Sequence, residues 1–332
     1  MLHQFIERET SQIKTEKLYY DRIVNYIYNN SRERPGYLYN IVTSSRMSSI
    51  LAYINYDFPL GSRITGGKKF LKKIGIDLSE CLEPLNRLNS ARKLFERKIR
   101  YWDFRPMSDN PGVIVSPADS RMIAGSFKDT SIIFLKEKFF SYEEFIGAEK
   151  REWLSAFSGG DYAVFRLTPD KYHYNHMPVS GKVVDIYEIS GKYNSCNPGA
   201  VISVVTPFSK NKRAVTVIDT NVKNGSNVGL VAMIEVVALM IGNIRQCYSE
   251  TEYNNPEQLK KGMFLLKGQP KSLYKPGSSV DILIFQKDRI RFSADIIRNL
   301  KNTEARSRFT DLKGNQLIET DVKVRSTIGR KK

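Results

Sequence analysis

The spacing of hydrophobic positions along this chain changes near residue 110. Before that point apolar residues recur every three or four positions, which is the period of an amphipathic helix. Four segments have this spacing: residues 13–28, 37–56, 65–74 and 90–99, the last with Ser90 as its N-cap. The pattern therefore predicts a helical region over residues 1–110.

From Pro111 onward, short apolar runs alternate with turn residues. The runs cover residues 113–115, 131–135, 162–167, 179–187, 201–205, 214–218, 228–239, 241–248, 263–266 and 279–285. This spacing is typical of strands joined as hairpins. We therefore predict an α+β fold, with an N-terminal helical segment followed by a β-rich body of mostly antiparallel sheets over residues 111–332. The last dozen residues, ending in Arg330-Lys331-Lys332, are expected to form a loose tail.

The charge of the chain favours a polyanionic partner. Lys and Arg number 52 against 35 Asp and Glu, which gives a net charge of +17. Nucleic acid and an anionic membrane surface both fit this excess. A nucleic-acid protein would interleave aromatic and basic residues, and segments such as residues 139–142 do not. A basic nucleic-acid-binding protein is therefore kept only as a distant alternative.

Composition excludes several other classes of protein. Hydrophobic residues make up 41% of the chain and charged residues 26%, a globular balance. Three cysteines without metal-ligand spacing suggest a reducing compartment and no disulfide framework. Residues 1–5 contain no apolar signal core, and no uncharged run reaches the roughly eighteen residues of a spanning helix. We expect neither secretion nor a transmembrane span.

Residues 65–74 form the most informative of the predicted helices. Its apolar residues share one arc of a helical wheel and its lysines share the opposite arc. The apolar set is Phe70, Leu71 and Ile74, and the basic set is Lys68, Lys69, Lys72 and Lys73. A surface helix packed on the body explains this pattern. A helix that lies on an anionic bilayer with its lysines at the headgroups explains it equally well.

Two of the chain's three histidines lie three residues apart, at His173 and His176. His-x-x-His is half of a metal site, but no further histidine or cysteine pair supplies the remaining ligands. We therefore expect no metal, and the pair favours acid–base chemistry.

A Gly-Ser pair precedes the last apolar run, at Gly277-Ser278. Such a pair is most often an ordinary turn. It also has a reactive alternative, in which the Ser278 hydroxyl attacks the Gly277 carbonyl and the acyl group moves from nitrogen to oxygen. Elimination from that ester followed by hydrolysis leaves a pyruvoyl group at a new N-terminus. The reactive alternative requires a base for Ser278.

Taken together, these motifs resemble those of phosphatidylserine decarboxylases, which are self-cleaving pyruvoyl enzymes. The motifs, in the family's order, are Ser116-Pro117-Ala118-Asp119, Tyr172-His173-x-x-His176-Met177-Pro178, Glu235-Val236 with Ile241-Gly242, and Gly277-Ser278-Ser279. The N-terminal part, including residues 69–78, Arg97-Lys98-Ile99 and Arg105-Pro106, resembles the longer clostridial-type members.

The resemblance implies roles for individual residues. Ser278 is the self-cleavage nucleophile and the future pyruvoyl cofactor, so no external cofactor is required. His176 is the base that takes the Ser278 proton, and Asp119 orients its imidazole, as in a serine-protease triad. His173 protonates the α-carbon after CO2 leaves the substrate.

The resemblance also implies partners. The substrate is phosphatidylserine, and fragments 1–277 and 278–332 form a heterodimer that is itself free to dimerise. The enzyme is expected on the cytoplasmic face of a membrane as a peripheral protein. A pyruvoyl decarboxylase of a soluble amino acid is the alternative.

Three positions depart from the family's pattern. Ser120 follows Asp119 where a glycine is usual, and Val237 occupies the glycine position of the expected Glu-Val-Gly-Ala. Pro276 occupies the position before the cleaved pair, where a glycine is common. Pro276 disfavours a helical conformation at Lys275 and stiffens the loop. We expect these changes to affect the rate of self-processing.

Overall fold

The fold is described from a computed structural model of the chain. It describes residues 2–16, 76–84, 87–88, 90–128, 132–135, 138–191, 211–237, 243–276, 279–311 and 313–332. The predicted helices at residues 37–56 and 65–74 and the predicted strand at residues 201–205 lie outside these ranges.

The described residues are predominantly β-structure. Numbered along the chain, the strands are β1 (Gln4–Glu7), β2 (Gln12–Thr15), β3 (Val113–Val115), β4 (Ser120–Ser126), β5 (Ile132–Leu135), β6 (Lys138–Ser141), β7 (Asp161–Leu167), β8 (Tyr174–His176), β9 (Gly181–Ile189), β10 (Arg213–Asp219), β11 (Leu230–Val237), β12 (Ile244–Gln246), β13 (Phe264–Leu265), β14 (Pro270–Tyr274), β15 (Ser279–Phe285), β16 (Ile290–Phe292), β17 (Glu319–Val322) and β18 (Thr327–Lys331). This confirms the prediction of a β-rich body.

Ten of these strands form one large sheet, in the order β13-β9-β10-β11-β15-β7-β4-β17-β1-β2. Neighbouring strands are antiparallel except for β1 and β17, which are parallel. Two three-stranded sheets, β12-β14-β8 and β16-β18-β3, and the hairpin β5-β6 complete the described β-structure. The mostly antiparallel arrangement is as predicted.

The strand β15 lies in the middle of the large sheet and is buried on both faces. Because successive side chains alternate between the faces of a strand, its residues divide into two sets. Val280, Ile282 and Ile284 pack in one hydrophobic core. Leu283 and Phe285 pack in the other. The predicted strand at residues 279–285 is therefore confirmed with its bounds.

The structure does not support the expected helical N-terminal segment. Residues 4–7 and 12–15 form a hairpin, and Gln12–Thr15 is a strand where a helix was expected to begin. Ile13 lies opposite Ile6 in this hairpin, and β1 continues the large sheet by pairing with β17. The sheet satisfies the backbone hydrogen bonds of this segment, which outweighs the helical spacing of its side chains. The domain boundary near residue 110 stays a prediction.

The helices of the described residues are short. They are a 3₁₀ turn (Leu78–Glu80), α1 (Ala91–Phe95), α2 (Tyr101–Phe104), α3 (Tyr142–Ile146), α4 (Arg151–Ala156) and α5 (Ala294–Leu300). Ser90 caps α1 as predicted, because its hydroxyl accepts a hydrogen bond from the Lys93 amide. The helix ends earlier than expected, and Ile99 instead forms an isolated bridge with Cys81.

The prediction of a loose C-terminal tail is wrong. Strand β18 pairs with both β16 and β3, and β17 lies between β4 and β1 in the large sheet. The last residues therefore hold distant parts of the chain together. These partners are far apart in sequence, so the local pattern gave no sign of them.

Candidate active site

The link between β14 and β15 joins the small sheet to the large one. Tyr274 ends β14 and Ser279 begins β15. Gly277 and Ser278, the predicted cleavage pair, lie in this link but outside the described residues. The Tyr274 amide donates a hydrogen bond to the carbonyl oxygen of His173 at 3.1 Å. His173 therefore lies beside the strand end that leads into the link.

His173 is completely buried and its ring is stacked on Phe95, with 3.6 Å between the ring centroids. Neither ring nitrogen has a hydrogen-bond partner among the described residues. Burial, assisted by the positive charge of Arg97, lowers the pKa of His173 to about 3. The imidazole is therefore neutral near pH 7.

His176 is also completely buried, but both of its ring nitrogens are occupied. Nδ1 lies 2.8 Å from the Gly268 carbonyl oxygen, and Nε2 lies 2.9 Å from the Tyr172 hydroxyl. Because a carbonyl can only accept, Nδ1 carries the proton and Nε2 accepts from Tyr172. Burial lowers the pKa of His176 to about 3. The ring is therefore a neutral base with a fixed tautomer.

Tyr172 belongs to a short chain of hydroxyl groups. Its oxygen lies 2.6 Å from the Tyr253 hydroxyl, which also accepts a hydrogen bond from the Ile99 amide at 3.2 Å. With the Tyr172 proton directed at His176, the single proton of the Tyr253 hydroxyl has two acceptors within reach, the Tyr172 oxygen at 2.6 Å and the Ile99 carbonyl oxygen at 2.9 Å. This chain connects the imidazole to the segment that follows α1.

Asp119 is held by Arg105. Two hydrogen bonds of 3.1 and 2.8 Å join the guanidinium to both carboxylate oxygens, and the Val324 amide donates a third at 2.8 Å. Burial acts to raise the pKa of Asp119, but the charge and hydrogen bonds of Arg105 outweigh it and hold the pKa at about 2. Asp119 is thus ionised. Its negative charge raises the pKa of His176 against the effect of burial, although no direct hydrogen bond joins the two among the described residues.

A buried ionic network lies between the two sheets. Lys271 Nζ is 2.7 Å from Glu235 Oε2, and both side chains are fully buried. The Glu235 carboxylate also accepts hydrogen bonds from Asn175, Ser272 and Gln246. Burial acts to raise the pKa of Glu235, but Lys271 and these donors lower it. This network holds β8, β12 and β14 against β11.

Asp281 lies three residues after Ser278 and opposite Glu235 in the large sheet. Burial and the negative charge of Glu235 raise the pKa of Asp281 well above its ordinary value, which favours its protonated form. The Tyr274 hydroxyl donates to Asp281 Oδ1 at 2.7 Å. Asp281 therefore ties the two ends of the link together.

Several buried polar atoms near the link have no partner among the described residues. They are both ring nitrogens of His173, Asn175 Oδ1, Ser279 Oγ and Asp281 Oδ2. Buried polar atoms are almost always hydrogen-bonded, so unpaired ones around a single link indicate a place built to receive polar groups.

Lys271 and Asp281 were not recognised as functional from the sequence, and Arg105 and Glu235 were given no function there. Each interrupts an apolar strand or lies in a motif that was noted only for its resemblance. A charged residue within a buried strand is the signal that identifies such groups, because an unpaired charge is costly there. Val237, one of the three departures, is the register partner of Ser279 and lies against the link.

One cluster outside the link has ligand types that suit a metal. Atoms of His3, Glu16 and Glu319 lie within 4.8 Å of one another. Arg166 Nη2 is 2.7 Å from Glu16 and 2.6 Å from Glu319. The arginine already supplies the positive charge that a metal would bring. We therefore interpret this cluster as an ionic network that joins the N-terminal hairpin to the sheet.

The predicted membrane-binding residues, residues 68–74, lie outside the described residues. Within the described part of the chain, no helix is long and apolar enough to cross a membrane.

The fold and the site together define a β-rich protein with two buried, neutral histidines, one in β8 and one just before it, beside the strand β14. The chain from residue 91 to residue 308 matches the family model of phosphatidylserine decarboxylase. The chain belongs to the phosphatidylserine decarboxylase family.

Curated relatives match the chain over most of its length. A phosphatidylserine decarboxylase proenzyme from Fusobacterium nucleatum is 30% identical over 300 residues, covering 90% of this chain and 92% of the relative. The proenzyme from Clostridium tetani is 29% identical over 329 residues, covering 99% and 98%. The proenzyme from Ruminiclostridium cellulolyticum is 30% identical over 301 residues, covering 90% and 92%.

Proposed function

We propose that this protein cleaves itself between Gly277 and Ser278 and then decarboxylates phosphatidylserine to phosphatidylethanolamine and CO2. The observation that carries the proposal is the family match over residues 91–308. The unpartnered polar atoms around the β14–β15 link support it, because they suit a reactive group at that point.

In the self-cleavage step, Ser278 attacks the Gly277 carbonyl and His176 takes the proton of the hydroxyl. The neutral state of His176 supports this role, since only a neutral imidazole accepts a proton. For the transfer, Nε2 must exchange the Tyr172 hydroxyl for that of Ser278. Asp119 acts through its charge, which stabilises the imidazolium that forms.

In the decarboxylation step, the pyruvoyl group derived from Ser278 would supply a ketone that condenses with the substrate amine, with release of water, and would take up the electron pair left when CO2 departs. Ser279 Oγ and the side chain of Asn175 are the groups we expect to hold it. His173, neutral and unbonded, takes a proton from the incoming ammonium group. It then returns this proton to the α-carbon.

The two fragments are proposed to stay together after cleavage. Fragment 278–332 contains β15 and β17, and each lies between two strands of fragment 1–277 in the large sheet. Separation would break the backbone pairing on both sides of each strand. We therefore expect a heterodimer that separates only on denaturation.

We further propose that the protein acts at an anionic membrane surface as a peripheral protein of the cytoplasmic face. The net charge of +17 and the lysine-rich residues 68–74 support this location. Each lysine near such a surface contributes about 1 kcal/mol.

Denaturing mass spectrometry of the purified protein tests the proposal. Wild type should give fragments 1–277 and 278–332, the smaller one with a pyruvoyl N-terminus. Ser278→Ala should remain one chain, and the adjacent Ser279→Ala should still be cleaved. An intact wild-type chain after prolonged incubation would contradict the proposal. Assays with phosphatidylserine and with free serine then distinguish a lipid substrate from a soluble amino acid.

A further inference from the structure

Arg97 is a buried cation without an ionic partner among the described residues. It is 6% exposed. Its Nη1 donates to the Leu94 carbonyl and its Nη2 to the Asp170 carbonyl, each at 3.0 Å. Its Nε has no partner among the described residues. Arg105, by contrast, is paired with both Glu80 and Asp119.

A buried charge without a counterion is costly, so such a residue is usually paired or serves a ligand. Two carbonyl groups fix the guanidinium of Arg97, and the carboxylates of Asp119, Asp170 and Glu80 act on its charge only from beyond ion-pair distance. Burial lowers the pKa of Arg97, yet an arginine remains protonated near pH 7. The side chain is therefore a fixed positive charge, and its Nε–H has no acceptor within the part of the chain that the structure describes.

Arg97 lies close to the proposed catalytic histidine. Phe95, two residues earlier, is stacked on the His173 ring. The Asp170 carbonyl that Arg97 binds is three residues before His173. The charge of Arg97 also contributes to the low pKa of His173. A substrate whose reacting carbon lies at His173 would bring its neighbouring groups near Arg97.

On the basis of the proposed function, we infer that Arg97 binds the phosphodiester group of the phosphatidylserine headgroup. The planar N–H groups of a guanidinium match phosphate oxygens in charge and geometry. The headgroup offers two anions, the phosphodiester and the serine carboxylate, and the chemistry of the reaction distinguishes them.

The carboxylate loses its charge when it leaves as CO2. An ion pair with Arg97 would stabilise the substrate more than the transition state and would slow the reaction. The phosphodiester keeps its charge throughout, so a contact with it strengthens binding without opposing the chemical step. The phosphodiester is therefore the anion that Arg97 binds. Substitution of Arg97 should raise KM more than it lowers kcat.

The test compares two soluble amines that share the serine amine and carboxylate. Glycerophospho-L-serine carries the phosphodiester and O-methyl-L-serine lacks it. Cyanoborohydride reduces the imine between the pyruvoyl ketone and the bound amine, so fragment 278–332 gains the mass of the amine less one oxygen atom. The concentration that gives half-maximal trapping then measures binding independently of turnover.

Cleaved wild type should trap glycerophospho-L-serine at lower concentration than O-methyl-L-serine. Arg97→Met should raise the half-maximal concentration for the phosphodiester about tenfold or more, the effect of losing a hydrogen bond between charged groups. It should leave that for O-methyl-L-serine nearly unchanged. Lys93→Met, which removes an exposed cation from α1, the helix that ends two residues before Arg97, should match wild type.

An equal loss for both amines, or no loss for either, overturns the inference and leaves the proposed function standing if wild type is cleaved. An uncleaved wild type overturns both. If Arg97→Met gives no folded protein, Arg97→Lys decides. It keeps the charge and should lose only part of the preference for the phosphodiester, whereas a wild-type preference without the guanidinium overturns the inference.

Discussion

The carboxylate of Asp119 is bound at both oxygens by the guanidinium of Arg105, at 3.1 and 2.8 Å. Both side chains are buried, so each charge depends on the other. We predict that Arg105→Met lowers the free energy of unfolding by about 3 kcal/mol or more, because it leaves Asp119 as a buried unpaired charge. Chemical denaturation of the uncleaved Ser278→Ala protein measures this.

Removal of the Asp119 charge provides the control for the Arg105→Met variant. Asp119→Asn in the Arg105→Met protein removes the stranded carboxylate and should restore part of the stability. Arg100→Met removes a partly exposed arginine nearby and should cost far less. If the double variant is as unstable as the sum of the single variants, the two residues are not coupled.

The sequence predicted the local part of this fold and missed the long-range part. Strand β15 was predicted with its bounds because the apolar run that forms it is contained within seven consecutive residues. The pairing of β1 with β17 brings together the two ends of the chain, and neither short strand has a pattern that specifies its partner. The same limit applies to the site, where Asp119 was recognised but its bond to Arg105 was not.

The two histidines should separate the two reactions. We predict that His176→Ala leaves the chain largely uncleaved, because Ser278 then lacks its base. His173→Ala should be cleaved but lose about 10²–10⁴-fold in decarboxylation, the range for a lost acid–base group. Denaturing mass spectrometry and a phosphatidylethanolamine assay give the two readouts. A cleaved His176→Ala chain together with an uncleaved His173→Ala chain would reverse the assignment.

Binding to anionic membranes should depend on residues 68–74. Charge reversal to Glu at Lys68, Lys69, Lys72 and Lys73 should reduce sedimentation with anionic liposomes at low salt, since each lysine contributes about 1 kcal/mol. The control reverses four exposed lysines elsewhere, Lys260, Lys261, Lys301 and Lys313. Equal effects of the two sets would assign binding to net charge alone.

Buried neutral histidines should make stability depend on pH. In the folded protein the pKa of His173 is about 3, against an ordinary value of 6.5. The unfolded chain therefore binds a proton that the folded one does not, and the stabilisation is present above pH 6.5 and lost as pH falls towards 3. Between pH 7.5 and pH 5 the loss is about 2 kcal/mol for this residue.

Asp281 has the opposite effect on the pH dependence of stability. Burial raises the pKa of Asp281 in the folded protein, so its contribution to the free energy of unfolding falls as the pH rises. The prediction is therefore a difference between variants on the uncleaved Ser278→Ala background. When the pH is lowered from 7.5 to 5, the free energy of unfolding of the His173→Gln variant should fall by about 2 kcal/mol less than that of the Ser278→Ala protein. The free energy of unfolding of the Asp281→Asn variant should fall by more than that of the Ser278→Ala protein over the same pH change, because the carboxyl group that opposes the effect of His173 has been removed. Chemical denaturation at the two pH values measures both, and parallel pH dependence in all three proteins would show that His173 is not buried in its neutral form.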